Sequence, residues 1–572
     1  MKVLFAALHL AHFRNFDSVV TELARRGHHV HLTAEEPESL GGQQLVERLA
    51  ASHPTVTWDL LPSLDDEPWF DATRRMRIAL DYVRVLERRY PEKLRVRAEE
   101  RTARIIRWAA RTPGIGRTAT LGALTRFERV MPTSERIVEY LQLHAPDVVV
   151  LSALTYSRSQ QLDLLKAARR LQLPVAAPIL SWDHLSSKAL IHIAPDRVVV
   201  WNEVQKREAV DMHGLPVDRV ALTGAQCYDQ WFARTPERSR DDFCRAMGLR
   251  TDRPFVLWVH SALTPAPEPP EPILVMRWLE ALRSHPDPRL RELGVLVRPH
   301  PERVKEWKGI QLDRFTNVAF HGRNPIDPQA RGDYFDSLYY SAAVIGLVTT
   351  AFVEAAIVGR PVLTFTLPEY RMHQEEMIHF RYLTTEHGGP LKTAEDLNTH
   401  FEQLAKVVSS DGSRDEGNLR FLSTFVRPAG LEVPATPMFA DALERLYREG
   451  PHSDPSLEQG AWLRPVLTTA AGWSRTGLGR WLMNDERADE VDEHEATAER
   501  TVMARQRAKG KRQRAKDQRR TWRHRREQAM RAGKVVKSTM RKTRHRMAVT
   551  IYRALYLLGL WRGELPGSSG TE

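Results

Sequence analysis

Cysteine is scarce in this chain: Cys227 and Cys244 are the only two among 572 residues. Two thiols can build neither a disulfide framework nor a multi-cysteine zinc site, and such usage suits a reducing compartment. No run of about 18 uncharged apolar residues occurs, so no transmembrane helix is expected. The opening "MKVLFAALHLAHF" lacks the longer apolar core and small-residue cleavage site of a secretory signal, so a cytoplasmic protein is expected.

What is present is a globular profile, 42% hydrophobic and 27% charged, on a chain long enough for two or three domains. The net charge of +12 is unevenly spread. From Thr501 to Arg546 there are 19 Lys or Arg against Asp517 and Glu527, a local +17 that leaves −5 for the remainder. Basicity therefore belongs to the tail, and only there does it argue for a polyanionic partner.

Through the body, strand-like runs alternate with helical ones, the pattern of a parallel sheet covered on both faces. "MKVLFAAL" reads as a buried strand, "DSVVTELARRG" as a helix with Asp17 as N-cap and Gly27 as its stop, and "HHVHLT" as the next strand. His29 and His31 alternate along it; without a converging partner they read as a half-exposed edge, and no metal is assigned. Between about 70 and 140 the strands cease, and Met76, Ala79, Leu80, Val83, Leu86 and Tyr90 recur at helical spacing, an amphipathic insertion. Alternation resumes with "DVVVLSA", "PVAAPIL", "DRVVVWN" and "RVALTGA". After a polar segment, Gln230 to Arg253, a second series runs through "PFVLWVHSAL", "GVLVRPHP", "NVAFHG", "AVIGLVTT" and "PVLTFTL". The expected fold class is α/β: two Rossmann-like doubly wound domains, 1–235 and 236–450, facing a cleft at the carboxyl ends of their strands. A basic helical tail, partly disordered, follows over 451–572.

Two loops of the second half carry chemistry. In "GLVTTAFVEAAIVGRPVLTF" a buried strand turns at Thr349 and Thr350 into a helix over Ala351 to Val358. Hydroxyls and helix-start N–H groups make an anion site there, with Glu354 close by. In "VLVRPHP" prolines hold His300 just beyond a strand, beside Arg298.

This order of strand, Thr pair, Glu, small residues, Gly, Pro and strand resembles the nucleotide-binding half of GT-B glycosyltransferases, including the peptidoglycan N-acetylglucosaminyl transferase. The resemblance implies diphosphate at Thr349 and Thr350, ribose at Glu354 and, from "YRMHQEEMIHFRYL", a donor-sugar contact at Gln374. "RPHP" is similar to the His-Pro motif of bacterial sialyltransferases, Kdo transferases and glycerophosphotransferases, which implies a phosphate contact for His300. "HFRNFDSVVTELARRGHHVHLT" and the stretch from "SWDHLSSK" to "GAQCYD" resemble the first half of such enzymes, so the likeness covers roughly Met1 to Gly450.

Two departures stand out. The loops after the first strand of each half, "LHLAHFRNF" and "HSALTPAPEPP", have no glycine, so side chains must supply more of the phosphate binding. The acidic dipeptide with glycine that serves sialyltransferases as base is absent; "LDDEPW" has the acids alone. Transfer to a hydroxyl needs a base and donors for the departing diphosphate. Asp183 and His12, in loops that should face the cleft, are the candidate catalytic residues, and Arg14, His184 and Lys188 the candidate acceptor-facing or phosphate-facing ones.

In the tail, Ala508, Ala515, Trp522, Ala529 and Val536 recur every seven residues, but the complementary positions are largely basic, which argues against a coiled coil. "MAVTIYRALYLLGLW", Met547 to Trp561, is too short to span a bilayer but suits its interface. Polybasic stretch and interfacial segment together predict peripheral attachment to the anionic inner face of the cell membrane; the same charge also suits nucleic acid. The leading expectation is a glycosyltransferase that moves a sugar, or a related alcohol phosphate, from a nucleotide-activated donor to a surface glycan or lipid-linked acceptor, without cofactor. A non-hydrolysing nucleotide-sugar epimerase and an inactive scaffold binding glycan or nucleic acid are the alternatives.

Overall fold

The computed structural model of the protein describes residues 1–452 apart from 37–40, 68, 88, 91, 115, 158, 264–266, 302, 326 and 410–415, together with 462, 465 and 469. The described residues fall in one compact unit, Met1–Glu493. The basic tail segment and Met547 to Trp561 lie outside the described residues. Among the described residues no helix is long and apolar enough to cross a membrane.

Seven parallel strands make the first sheet: β1 (Lys2–His9), β2 (His29–Glu36), β3 (Val56–Leu60), β4 (Val148–Leu151), β5 (Val175–Pro178), β6 (Arg197–Val200) and β7 (Val220–Leu222), in the order β3-β2-β1-β4-β5-β6-β7. Six parallel strands make the second: β8 (Phe255–Val259), β9 (Gly294–Arg298), β10 (Val318–Phe320), β11 (Val344–Ile345), β12 (Val362–Phe365) and β13 (Leu391–Ala394), in the order β10-β9-β8-β11-β12-β13. Both orders reverse direction beside their first strand, the doubly wound arrangement in which ligands bind where the order switches. Central strands are continuous apolar runs because helices cover both faces: every residue of β4 and of β8 is buried.

The helical insertion comprises Phe70–Val85, Glu92–Glu100, Arg104–Arg111, Gly116–Val130 and Glu135–His144. Met76, Leu80, Tyr82, Val83, Leu124 and Met131 give it a small core of its own. It is pinned through charge to the helix Gln161–Arg170 as well. Arg77, 3% exposed, donates to both carboxylate oxygens of Asp163 (3.1 and 3.0 Å) and to Glu128 at 3.2 Å, and Lys166 Nζ lies 2.7 Å from Glu128.

Three local expectations are corrected. Asp17 is the first residue of the helix Asp17–Arg25 rather than its cap, and its carboxylate is engaged by Arg331 at 3.1 Å. The histidines of β2 are not at a sheet edge, because β3 pairs outside them; His29 is exposed and His31 is buried. The final helix, Ala435–Glu449, crosses back from the second sheet and buries Phe439, Leu443 and Leu446 against the helices and strands of the first. Each such fully buried side chain contributes about 1.5–3 kcal/mol, so this helix is an integral part of the first layer's core.

Candidate functional site

The loops leaving both switch points converge on one cleft of about 560 Å³. From the first sheet, His12 and Arg14 arrive on the loop after β1, and His184 and Lys188 on the segment after β5. From the second, Arg298 ends β9, His300 follows it, and Thr349, Thr350 and Glu354 follow β11. Nine of the residues picked out by sequence are thereby brought together.

Glycines placed elsewhere in the chain let these loops close. A Cβ on Gly42 would stand 2.2 Å from the Ala11 nitrogen, so only glycine lets the helix Gly42–Ser52 start against the loop that carries His12. A Cβ on Gly346 would meet the Val259 carbonyl at 2.7 Å, where β11 leaves the sheet beside β8.

Asp183 and Gln374 are not in the cleft. Asp183 accepts from the Ser181 and Ser187 hydroxyls at 2.7 and 3.0 Å. Burial would raise its carboxyl, but His184, His379, Lys188 and the Ser181 hydroxyl outweigh that and hold it below the ordinary carboxylate range. A carboxylate so satisfied is a poor proton acceptor. Gln374 is fully buried, its amide nitrogen donating to the Phe365 carbonyl at 2.7 Å and the Leu347 carbonyl at 3.2 Å, so it braces β12 instead of reaching a sugar.

The expected anion site at the helix start also differs. The helix is only Ala351–Ile357, and its first donors are used internally: Ala351 N reaches Thr349 Oγ1 at 3.3 Å, Phe352 N the Thr349 carbonyl at 3.2 Å, and Val353 N the Thr350 carbonyl at 3.0 Å. Any anion there depends on side chains. Those are abundant: among the described residues, Arg14, Lys188, Arg234, Arg298, Arg323 and Arg331 line the cleft against one carboxylate, Glu354. Arg234 and Arg331 are paired with Glu237 at 2.6 Å and Asp17 at 3.1 Å.

Arg298 is different. It is 4% exposed, its Nη2 makes one long bond of 3.4 Å to the Arg323 carbonyl, and its Nη1 has no hydrogen-bond partner among the described residues. Its guanidinium lies 5.0 Å from the centre of the Tyr334 ring. A buried cation with an unused donor is costly unless something else completes it. Tyr334 in turn donates to Glu354. Burial raises the Glu354 carboxyl to about 7, against the lowering pull of the Tyr334 hydroxyl, Arg14 and Arg298, so it exchanges a proton near neutrality.

On the facing side the imidazoles are neutral at pH 7. Burial, reinforced by His9, His184, Arg14 and Lys188, holds His12 well below the usual histidine range, and burial brings His184 to about 4. Both Nδ1 atoms are buried without a partner among the described residues. Tyr156 stands between them, its ring centre 5.9 Å from that of His12 and 5.5 Å from that of His184, with Lys188 Nζ 5.5 Å over its face.

Tyr334 and Tyr156 were not legible in the sequence. Tyr334 lies within the helix Pro328–Tyr340, where only packing decides which of three tyrosines faces the cleft. Tyr156 follows β4 by five residues, and its only signal was that position beyond a strand's carboxyl end.

No family model matches the chain, and no curated protein matches it. Among solved structures it is similar to a glycosyltransferase from Rickettsia africae (10% identity, TM-score 0.46, 80% of this chain and 99% of that one). It is also similar to UDP-GlcNAc 2-epimerase from Neisseria meningitidis bound to UDP-GlcNAc (13%, 0.44, 78% and 100%) and to S. aureus MnaA with UDP (12%, 0.44, 79% and 98%). Likenesses this distant transfer no activity to the chain.

Proposed function

We propose that the protein is a glycosyltransferase that takes its sugar from a nucleoside diphosphate donor. The carrying observation is the composition of the cleft: among the described residues, six Lys or Arg side chains and one carboxylate at the switch points of two doubly wound sheets. Such a site suits a phosphate-bearing ligand laid across the strand ends.

In this reading the diphosphate lies on the second sheet, held by Arg298, His300, Thr349 and Thr350, with Glu354 placed for the ribose. The acceptor hydroxyl approaches from the first sheet. A neutral His12 takes its proton as the oxygen bonds the anomeric carbon; the bond from that carbon to the phosphate oxygen breaks, and the electron pair leaves on the diphosphate. Arg298, the deepest cation of the cleft, stabilises the charge that develops there. Arg14, His184 and Lys188 line the acceptor side.

An epimerase is the second reading, favoured by one observation: a carboxyl held at about 7 in the same cleft as two neutral imidazoles could move a proton to and from a sugar carbon. The acceptor we propose is a surface glycan or lipid-linked sugar, reached through attachment of the basic tail to an anionic membrane.

The test is a melting screen with UDP, CDP, CMP, GDP and ADP and their sugars. A ligand at one hundred times its dissociation constant should stabilise the fold by about 2.7 kcal/mol. A chain that no nucleotide stabilises is not an enzyme of this kind. Free nucleotide released in proportion to acceptor marks a transferase, and an epimerised donor without release marks the alternative.

A further inference from the structure

Alternation along β2 places His31 and Thr33 on one face of the first sheet, and the register His31↔Thr57 and Thr33↔Asp59 brings Thr57 and Asp59 of the edge strand β3 beside them. The helix Glu135–His144 runs over that face. Its Tyr140 and His144, four residues apart, share one helix side and both meet the strand residues. His31 Nε2 stands 3.1 Å from Asp59 Oδ1 and His144 Nε2 stands 3.2 Å from Asp59 Oδ2. One ligand atom from each of the three residues falls within 4.8 Å of the others.

We propose that His31, Asp59 and His144 bind a divalent transition-metal ion of the zinc type. Bonds of about 2.0–2.1 Å in a tetrahedral site place neighbouring ligand atoms roughly 3.3 Å apart; the two imidazoles reach different oxygens of Asp59, at 3.1 and 3.2 Å, so the carboxylate has to turn one oxygen to the ion as the rings close on it. Two imidazoles and one carboxylate select zinc-like ions over calcium and magnesium, which prefer oxygen alone. The partners behind the ligands are in place too. His31 Nδ1 lies 2.8 Å from Thr57 Oγ1, which fixes the ring, and Asp59 Oδ1 accepts from the Tyr140 and Thr33 hydroxyls at 2.6 and 3.0 Å; the Tyr140 hydroxyl also stands 3.2 Å from His31 Nε2, a contact that an ion at that nitrogen replaces. Metal ligands are commonly oriented by such outer bonds. His31 is buried, while the side chains of His144 and Asp59 are 18% and 39% exposed, so an ion can enter and keep a water in the fourth position.

None of the three lines the cleft. The ion ties the last helix of the insertion to β2 and the edge strand β3, a structural clamp rather than a catalytic centre. Alternate positions on one strand offer no converging partner in the sequence; the fold alone brings Asp59 and His144 to His31.

The full chain, stripped with a chelator, is titrated with Zn²⁺ in competition with a chromophoric chelator while its melting temperature is followed. One equivalent should bind with a rise in melting temperature. Asp59→Asn and His144→Ala should each weaken binding at least about tenfold, the loss that outer partners of a metal site already produce, while His29→Ala on the exposed side of β2 should change nothing. Because a ligand variant can fail to fold, X-ray absorption on the zinc-loaded wild type is measured as well, and should show two imidazoles in the metal's ligand shell. Less than one equivalent bound, folded variants that bind zinc as the wild type does, or a shell without two imidazoles each overturn the proposal.

Discussion

Arg298→Met distinguishes a side chain kept for a ligand from one kept for packing. Among the described residues the guanidinium, 4% exposed, has a single 3.4 Å hydrogen bond and one ring contact at 5.0 Å. The bond contributes about 1 kcal/mol and the ring contact about 0.5–2 kcal/mol. Against them stands the cost of holding a cation out of water, several kcal/mol for a buried charge. Methionine keeps the length of the stem, so the two sides nearly cancel and stability in urea should change by no more than about 1 kcal/mol. Binding should behave differently. A phosphate oxygen accepting from Nη1 completes the buried cation, and a charge-assisted bond of that kind contributes about 1.5–3 kcal/mol. Calorimetry with the nucleotide that most stabilises the wild type should therefore show affinity falling about 10- to 150-fold. A variant that binds as tightly as the wild type refutes the reasoning. So does one destabilised by about 3 kcal/mol or more, since that would make Arg298 a structural ion.

Burial raises the carboxyl of Glu208 to about 7, in contact with Tyr382 at 2.7 Å. A raised carboxyl stabilises the fold below its unfolded value near 4.5 and loses that contribution as pH climbs through 7. Glu208→Gln imitates the protonated form, so its stability relative to wild type should grow by about 2–3 kcal/mol between pH 5 and pH 8; a difference that stays constant with pH would disprove the assignment. Glu128→Gln removes the carboxylate shared by Arg77 and Lys166 at nearly constant volume, and should cost about 3 kcal/mol in a denaturant titration; a cost below about 1 kcal/mol would mean that Asp163 alone holds the insertion. Anionic vesicles should recruit the full chain but not one ending near Gly450. Each basic residue near the surface contributes about 1 kcal/mol, and recruitment should weaken as salt shortens the Debye length from about 8 Å. RNA binding without vesicle recruitment would reverse that proposal.

Much of the architecture could be read from the chain because parallel strands buried on both faces cannot hide. "VVVL" and "FVLWV" are continuous apolar runs, followed at once by Ser152 and His260 where each strand ends. The loop residues His12, Arg14, His184, Lys188, Arg298, His300, Thr349, Thr350 and Glu354 were legible for the same reason: they follow strands, and loops at the carboxyl ends of a doubly wound sheet share one side of it. Asp183 satisfied that positional rule, and Gln374 was implied by the resemblance of its segment, yet both point elsewhere. Nearby hydroxyls and carbonyls of their own domains offered short polar side chains enough hydrogen bonds to turn them inward.

By itself the sequence determined the alternation of strand and helix, the two-sheet order, the insertion and the concentration of charge in the tail, all set by local periodicity and composition. Tertiary structure alone decided which partners meet across long separations. It set Tyr334 against Glu354 and Arg298, returned the helix Ala435–Glu449 to the first sheet, and brought His144 onto His31 and Asp59. Those contacts depend on which face each element buries and on the register of neighbouring strands. Both are settled only when the whole core packs, so no local stretch of residues carries them.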